Sequence, residues 1–389
     1  MVTRFKGGDV MAKRSFGAIA DYIRETDKVM FLLVFVTTAY GCIAVMSSTL
    51  YTGGLAEFWT QAGAGFGGLV AALIISNIDY KSMLRRWYLI APVGLIPVIL
   101  TFFIGFAPAG TDDKAWLLLP GGISFQPSEL LKVCFIITFA AHLGYAKEHD
   151  INKLKTLLPL LIHGGFPVGL ILIQGDAGTA LIFAFMVAAM LFSAGLKIRY
   201  YIIALVTLVV SSPLIYFFIM NDDQRSRIVG MFNLEDDLLG ADYQQWQGRI
   251  ALANGGFSGQ GLFRGELTQT NTVPESYNDF IFVSIGEELG VLGCLAVIIL
   301  LSAICLRALK VGRLCSDDRG MYIAVGIFAM ILGQTVINIG MCTSVLPVIG
   351  VTLPFFSAGG TSLLCLMLSV GVILSVYKHR NSRTIYLHS

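Results

Sequence analysis

Ten apolar runs set the limits on what this chain can become: residues 29–48, 61–78, 87–106, 127–143, 157–173, 178–195, 200–219, 279–308, 320–343 and 361–377. A hydrocarbon layer about 30 Å thick is crossed by about 20 apolar residues in a helix. Backbone polar groups must be satisfied inside the span, so helices are the natural solution, and the Gly and Pro in several runs are tolerated there. The expected fold is an all-α polytopic membrane protein with about ten transmembrane helices. Composition agrees: 56% of residues are hydrophobic and 13% charged, against about 25% charged in a soluble domain.

Charge placement orients the spans. With the N-terminus inside, 21 of the 27 Lys and Arg residues fall on the inner side, and Lys132 lies within a span. Only Lys114, Arg225, Arg227, Arg249 and Arg264 fall outside. That bias predicts both termini in the cytoplasm. It divides the chain into an N-terminal segment (1–28), a membrane domain (29–377) and a tail (378–389). Residues 16–28 suit either a short interfacial helix or a loose tail. The first apolar run is too long for a cleavable signal peptide. A net charge of +2 argues against nucleic acid as a partner. The seven cysteines show no CxxC spacing, which excludes a zinc site or disulfide framework from the expectations.

The long connections all face outside in this topology: about 107–126, 220–278 and 344–360. Long segments without evident secondary structure are often functional. The 220–278 loop carries Glu235, Asp236 and Asp237, then Tyr243-Gln244-Gln245-Trp246-Gln247, then the Gly-rich run from Asn254 to Gly261. No nucleotide-binding, zinc-protease or nucleophile-elbow motif occurs.

Ionisable groups at membrane depth are expensive and mark function. Asp279 stands where the eighth run meets water. It suits a general base with a raised pKa, and equally a helix cap shared with Asn278. Glu275 reads as a solvated loop residue. Glu287 and Glu288 lie about 12 Å deeper on a continuous helix. There they would point to different sides, as a buried network or as a lining of a groove. Glu129 and Lys132 share a helix face at i,i+3, with Ser128 or the preceding turn as the cap. The pair either neutralises itself or presents Lys132 to a cavity. Arg249 and Arg264 flank the Gly-rich run, an arrangement suited to a pyrophosphate or to plain solvated charge. Asp176 reads as a turn or cap residue. His142 and His163 read as hydrogen-bonded core residues.

Together these stretches resemble the SEDS family (shape, elongation, division and sporulation), which includes RodA, FtsW and SpoVE. The resemblance is carried by Phe125-Gln126-Pro127-Ser128-Glu129 with Lys132; Gln174 to Thr179; Tyr243-Gln244 with Gln247; and Gly255-Gly256 through Gly259-Gln260-Gly261-Leu262. It continues through Pro274-Glu275, Asp279 to Phe282, Glu287 to Gly290, Leu346 to Gly350, Leu353 to Ser357 and Gly359-Gly360. Departures occur at Ala115, where the family usually has Arg before Trp116; at Gly175-Asp176-Ala177-Gly178; and at Ser276-Tyr277-Asn278, where Arg-His-Thr is commoner.

The resemblance implies a peptidoglycan glycosyltransferase in the bacterial cytoplasmic membrane, polymerising lipid II, the undecaprenyl-pyrophosphate-linked disaccharide-pentapeptide. It implies a class B penicillin-binding protein as transpeptidase partner. The family's essential aspartate falls on Asp279. Substrate contacts are expected from Glu129, Lys132, Arg249, Lys114, Trp116, Gln126, Gln244 and Gln247, with Glu275, Glu287, Glu288 and Asp176 in support. Lys132, Arg249 or a divalent cation (Mg or Mn) is expected to offset pyrophosphate charge. A lipid II flippase is the competing function, and a scaffold for division or elongation complexes a third that leaves the buried charges unexplained. Short tails and compact loops point towards an elongation role of the RodA type.

Overall fold

The computed structural model describes residues 25–107, 113–220, 222–230 and 243–381. The order is α1 (Lys28–Ser48), α2 (Ala56–Ser76), α3 (Tyr80–Arg85), α4 (Trp87–Ile104), a hairpin of β1 (Leu117–Leu119) and β2 (Ile123–Phe125), α5 (Pro127–Glu148), α6 (Leu154–Ile173) and α7 (Ala177–Ser193). Then come α8 (Ile198–Leu214), α9 (Asp222–Gly230), α10 (Tyr243–Gly255), α11 (Glu266–Gln269), α12 (Ile281–Arg313), α13 (Asp318–Cys342) and α14 (Gly360–Lys378). Each of the ten apolar runs is a helix. Nine are long enough to span among the described residues, and α7 is apolar with 17 residues. Residues 16–24, the acidic cluster Glu235, Asp236 and Asp237, and the tail beyond 381 lie outside the described residues.

Most of α5, α13 and α14 is buried, and they form the centre. No residue of α8 is fully buried; most of its apolar side chains are exposed, and it is tied to the bundle near its start by Tyr200 and Tyr201. Successive spans alternate in direction. The α1–α2, α4–α5, α6–α7, α8–α12 and α13–α14 connections therefore share one end of the bundle.

The 220–278 segment is not bare loop. It holds α9, α10 and α11, and α10 packs along α12. The reason lies in α12, which is broken at Gly290 (φ +64). A break inside a span strands amide and carbonyl groups, which membranes tolerate only where protein covers them. The Gly-rich run supplies that cover. Gln260 and Gly261 amides donate to the Glu287 and Glu288 carbonyls at 3.0 and 2.9 Å. The Val291 and Leu292 amides donate to Gly256 and Phe257 carbonyls at 3.0 and 3.4 Å. A Cβ on Gly259 would collide with the Glu288 carbonyl. The glycines thus admit a neighbouring backbone, which corrects the expectation that they open a phosphate cradle.

Two capping alternatives are also decided, and at α5 it is the preceding turn that serves, with the Glu129 amide donating to the Gln126 carbonyl at 3.1 Å. The residue before α12 is Phe280, and no side chain caps that helix, so neither Asn278 nor Asp279 is a cap. α5 starts with Pro127 at its first turn, where a missing N–H costs nothing. Ser128 Oγ is buried without a hydrogen bond, so it caps nothing.

Candidate active site

Asp279 sits in the tight turn that enters α12. The Asn278 and Phe280 amides donate to the Glu275 carbonyl at 3.0 and 3.1 Å. The turn needs a left-handed Glu275 (φ +55), whose side chain accepts from Asn278 Nδ2 at 2.7 Å. It is tied to the α13–α14 connection: Ser357 Oγ donates to the Asn278 carbonyl (2.8 Å) and the Ala358 amide to the Tyr277 carbonyl (2.9 Å). Gly350, on the same connection, lies against Asp279 Oδ2. Asp279 is half-buried, Glu275 exposed.

A second wall comes from the α5 and α7 N-termini. Asp176 Oδ1 caps α7 through the Thr179 amide at 2.8 Å, as expected, and its Oδ2 accepts from Gln126 Nε2 at 2.9 Å. Lys132, fully buried, donates to Glu129 Oε1 at 2.8 Å. Gly178 packs against the Ile349 carbonyl, which brings the Asp176 turn to the loop beside Asp279.

The walls sense each other. Burial, then the charges of Glu275 and Asp176, push the Asp279 carboxyl up to about 7. Burial also raises Asp176; its bonds to Thr179 and the Lys132 charge oppose this, and Glu129 adds to it. The result is an acidic cluster of Asp279, Glu275 and Asp176, with the buried Lys132–Glu129 pair close enough for its charges to act on Asp176. Among the described residues no group of three or more His, Cys, Asp or Glu could hold a metal ion.

Other expected residues are placed differently. Glu287 accepts from Leu267 N (2.8 Å), Thr268 N (2.8 Å) and Thr268 Oγ1 (2.6 Å). Glu288 accepts from Ser47 Oγ (2.5 Å) and Gln269 Nε2 (3.0 Å). Both are fully engaged with α11 and α1, a buried network and not a groove lining. Gln244 donates to the Pro274 carbonyl at 2.9 Å, steadying the approach to the turn. Arg249 and Arg264 are exposed, and Gln247 is half-buried on α10. Lys114 is exposed; its neighbour Trp116 pairs with Phe106, and Asp113 lies over Gly175 beside Asp176. His142 and His163 bond each other through Nδ1 at 3.0 Å. His163 adjoins an apolar cavity of about 230 Å³ between α4, α5 and α6 that contains none of the acids above.

The sequence profile of the FtsW/RodA/SpoVE family, described as "Cell cycle protein", matches residues 27–382. The chain belongs to this family. It is 30% identical over 357 residues to the peptidoglycan glycosyltransferase MrdB of Escherichia coli K12, covering 91% of this chain and 94% of that one. It is 31% identical over 363 residues to the probable peptidoglycan glycosyltransferase FtsW of Geobacter metallireducens, covering 91% and 95%. A chain from a peptidoglycan synthase complex shares its fold at TM-score 0.77 and 23% identity, covering 92% of this chain and 99% of that one. The Thermus thermophilus rod shape determining protein RodA matches at TM-score 0.68 and 23% identity, covering 92% and 98%. Family membership makes this a multi-pass protein of the bacterial membrane.

Sequence reading passed over four polar residues that hold the site. Gln61 Nε2 donates to the Ser357 carbonyl at 3.0 Å, and Gln245 Nε2 to the Met341 and Leu346 carbonyls at 3.0 and 2.8 Å. Asn338 is fully buried in α13, and Arg227 Nη1 donates to the Val348 carbonyl at 3.1 Å. For Gln61 and Asn338 the available signal was an uncharged amide inside an apolar run; Gln245 and Arg227 lie in the polar 220–278 segment, where residue type does not tell a loop tie from a solvated side chain.

Proposed function

We propose that this acidic cluster catalyses glycan-strand polymerisation from lipid II, with Asp279 as its general base. The chain is a peptidoglycan glycosyltransferase by family and by relatives that match nearly its whole length. The residue roles and the substrate identity are our reading. The observation that carries it is a half-buried carboxyl beside a second acid, Asp176, which in turn feels the charge of the buried Lys132. These groups lie at the bundle end opposite Lys81, Arg85, Arg86, Lys147, Lys153, Lys197, Lys310 and Arg313. The basic end belongs in the cytoplasm, which puts the cluster on the outer face.

In this mechanism the 4-hydroxyl of one unit's N-acetylglucosamine attacks the anomeric carbon of another unit's N-acetylmuramic acid. Asp279 accepts the hydroxyl proton as the new C–O bond forms. The bond to the lipid pyrophosphate breaks with inversion, and the pyrophosphate leaves with the electron pair. A carboxylate with a pKa near working pH is a stronger base than an ordinary one. Lys132 offsets negative charge at this end of the cluster, and Gln126 with Thr179 fixes Asp176. Arg249, exposed on α10, is less suited to that task. A divalent cation (Mg or Mn) would supply further neutralisation of pyrophosphate, but the described residues do not fit one: both Asp176 oxygens are engaged by Thr179 and Gln126. A class B penicillin-binding protein is the proposed partner for cross-linking, in the elongation role.

The test is lipid II polymerisation by purified protein, with and without the partner, comparing wild type with Asp279→Asn. Strands from wild type alone are expected. An active, folded Asp279→Asn removes the base assignment. Lipid II crossing proteoliposome membranes, with no strands even beside the partner, favours a flippase instead.

A further inference from the structure

We propose that Asn338 is the residue that positions Asp279. It stands on α13 and touches neither solvent nor, in this geometry, the carboxylate itself. Its single amide nitrogen donates to the Asp279 carbonyl at 2.8 Å and to the Val351 carbonyl at 2.7 Å. Those carbonyls belong to two different strands of loop: the turn that carries the base, and the connection whose Gly350 lies against Asp279 Oδ2. One side chain therefore sets the spacing of the two sides of the reaction centre. This rests on the reading of Asp279 as base.

The need is physical. The Asp279 carbonyl lies just outside the regular turns of α12, where no helical amide reaches it among the hydrogen bonds described. A buried carbonyl left without a donor is costly, so its donor is also what fixes its place. Cys342, one turn along α13, adds only a weak thiol donor to the same oxygen at 3.4 Å. Ser357 fastens the preceding residue, donating to the Asn278 carbonyl while accepting from the Leu353 amide at 2.7 Å. Asp279 is thus anchored through its backbone, and its carboxylate is free to meet a hydroxyl. Both donor hydrogens of the Asn338 amide are spent on these carbonyls, a task that an isosteric Leu or Asp cannot perform.

The experiment measures steady-state polymerisation of lipid II by the full chain with its partner. It compares wild type, Asn338→Leu, Asn338→Asp, Asn338→Ser and Asp279→Asn, with thermal unfolding in detergent as the folding control. Asn338→Leu should lower kcat about 100-fold, as displacements of about 1 Å at a reacting group do, while KM stays within about twofold. Asn338→Ser keeps one donor and should retain more kcat than Asn338→Leu; it is also the informative variant should the leucine protein not fold.

The pH profile separates positioning from bulk stability. Groups facing Asp279 are Glu275 on its own turn, Asp176 from the start of α7 and Cys342 from α13. A loosened turn admits water, so the acid limb of kcat should move to lower pH in Asn338→Leu. A destabilising change distant from the site leaves that limb in place. Wild-type kcat in a folded Asn338→Leu overturns the inference. So does a loss of kcat that only tracks the folded fraction with the limb unmoved. If Asp279→Asn is active, the base reading has failed; if it is inactive while Asn338→Leu is not, the positioning inference alone has failed.

Discussion

The pH dependence of polymerisation follows from the setting of Asp279. Burial first, then the charges of Glu275 and Asp176, lift its carboxyl from 3.8 to about 7. A base must be ionised to accept the hydroxyl proton. With that midpoint, about one tenth of the enzyme is competent at pH ~6 and about nine tenths at pH ~8, so the rate should rise about tenfold between them. A carboxyl left at 3.8 would be ionised throughout and give a flat profile. The assay is initial-rate polymerisation under kcat/KM conditions at constant ionic strength, which reports the free enzyme. Glu275→Gln removes a neighbouring negative charge, lowers the Asp279 pKa and should move the limb to lower pH. The same shift acts on stability. At this one group the folded protein holds a proton that the unfolded chain releases, so the contribution of Asp279 to stability is most favourable below about pH 4 and declines as pH rises towards about 7, by at most about 4 kcal/mol. A rate that is flat or falling from about pH 6 to about pH 8 would refute the assignment.

Two further changes probe the buried charges. Lys132→Met strands Glu129 without its partner and should cost about 3–5 kcal/mol by thermal unfolding; adding Glu129→Gln should restore part of that loss. Glu287→Gln replaces a carboxylate that accepts three short hydrogen bonds with an amide that turns a donor on donors. It should lower stability by about 3 kcal/mol while the folded fraction polymerises as wild type does; a catalytic Glu287 would instead lose rate without losing stability.

The ten helices were legible because a bilayer imposes its own period: apolar runs of the right length have no other stable form in lipid. The Glu129–Lys132 pair was legible for a similar reason, since i,i+3 spacing in a helix leaves no choice of neighbour. Asp279 was flagged by cost alone, a carboxylate at the membrane edge. Its alternative role as a cap could not be dismissed until the helix was seen to start at Ile281 with Phe280 before it.

What only the tertiary structure decided was how distant segments complete one another. The break at Gly290 left four backbone groups to be satisfied, and the Gly-rich run did so from some thirty residues upstream in the chain. That assigned the glycines, Glu287 and Glu288 to architecture, where their residue types had suited phosphate binding or catalysis equally well. Likewise Asp176 read in sequence as a turn or cap residue, with a supporting role given only by the resemblance; its place beside Asp279 is set by α7 packing against the Ile349–Gly350 loop. Local pattern determines which segments enter the membrane, since that choice depends on each segment's own transfer energy. Which buried polar group serves another is fixed by packing between helices, and no local period carries that information.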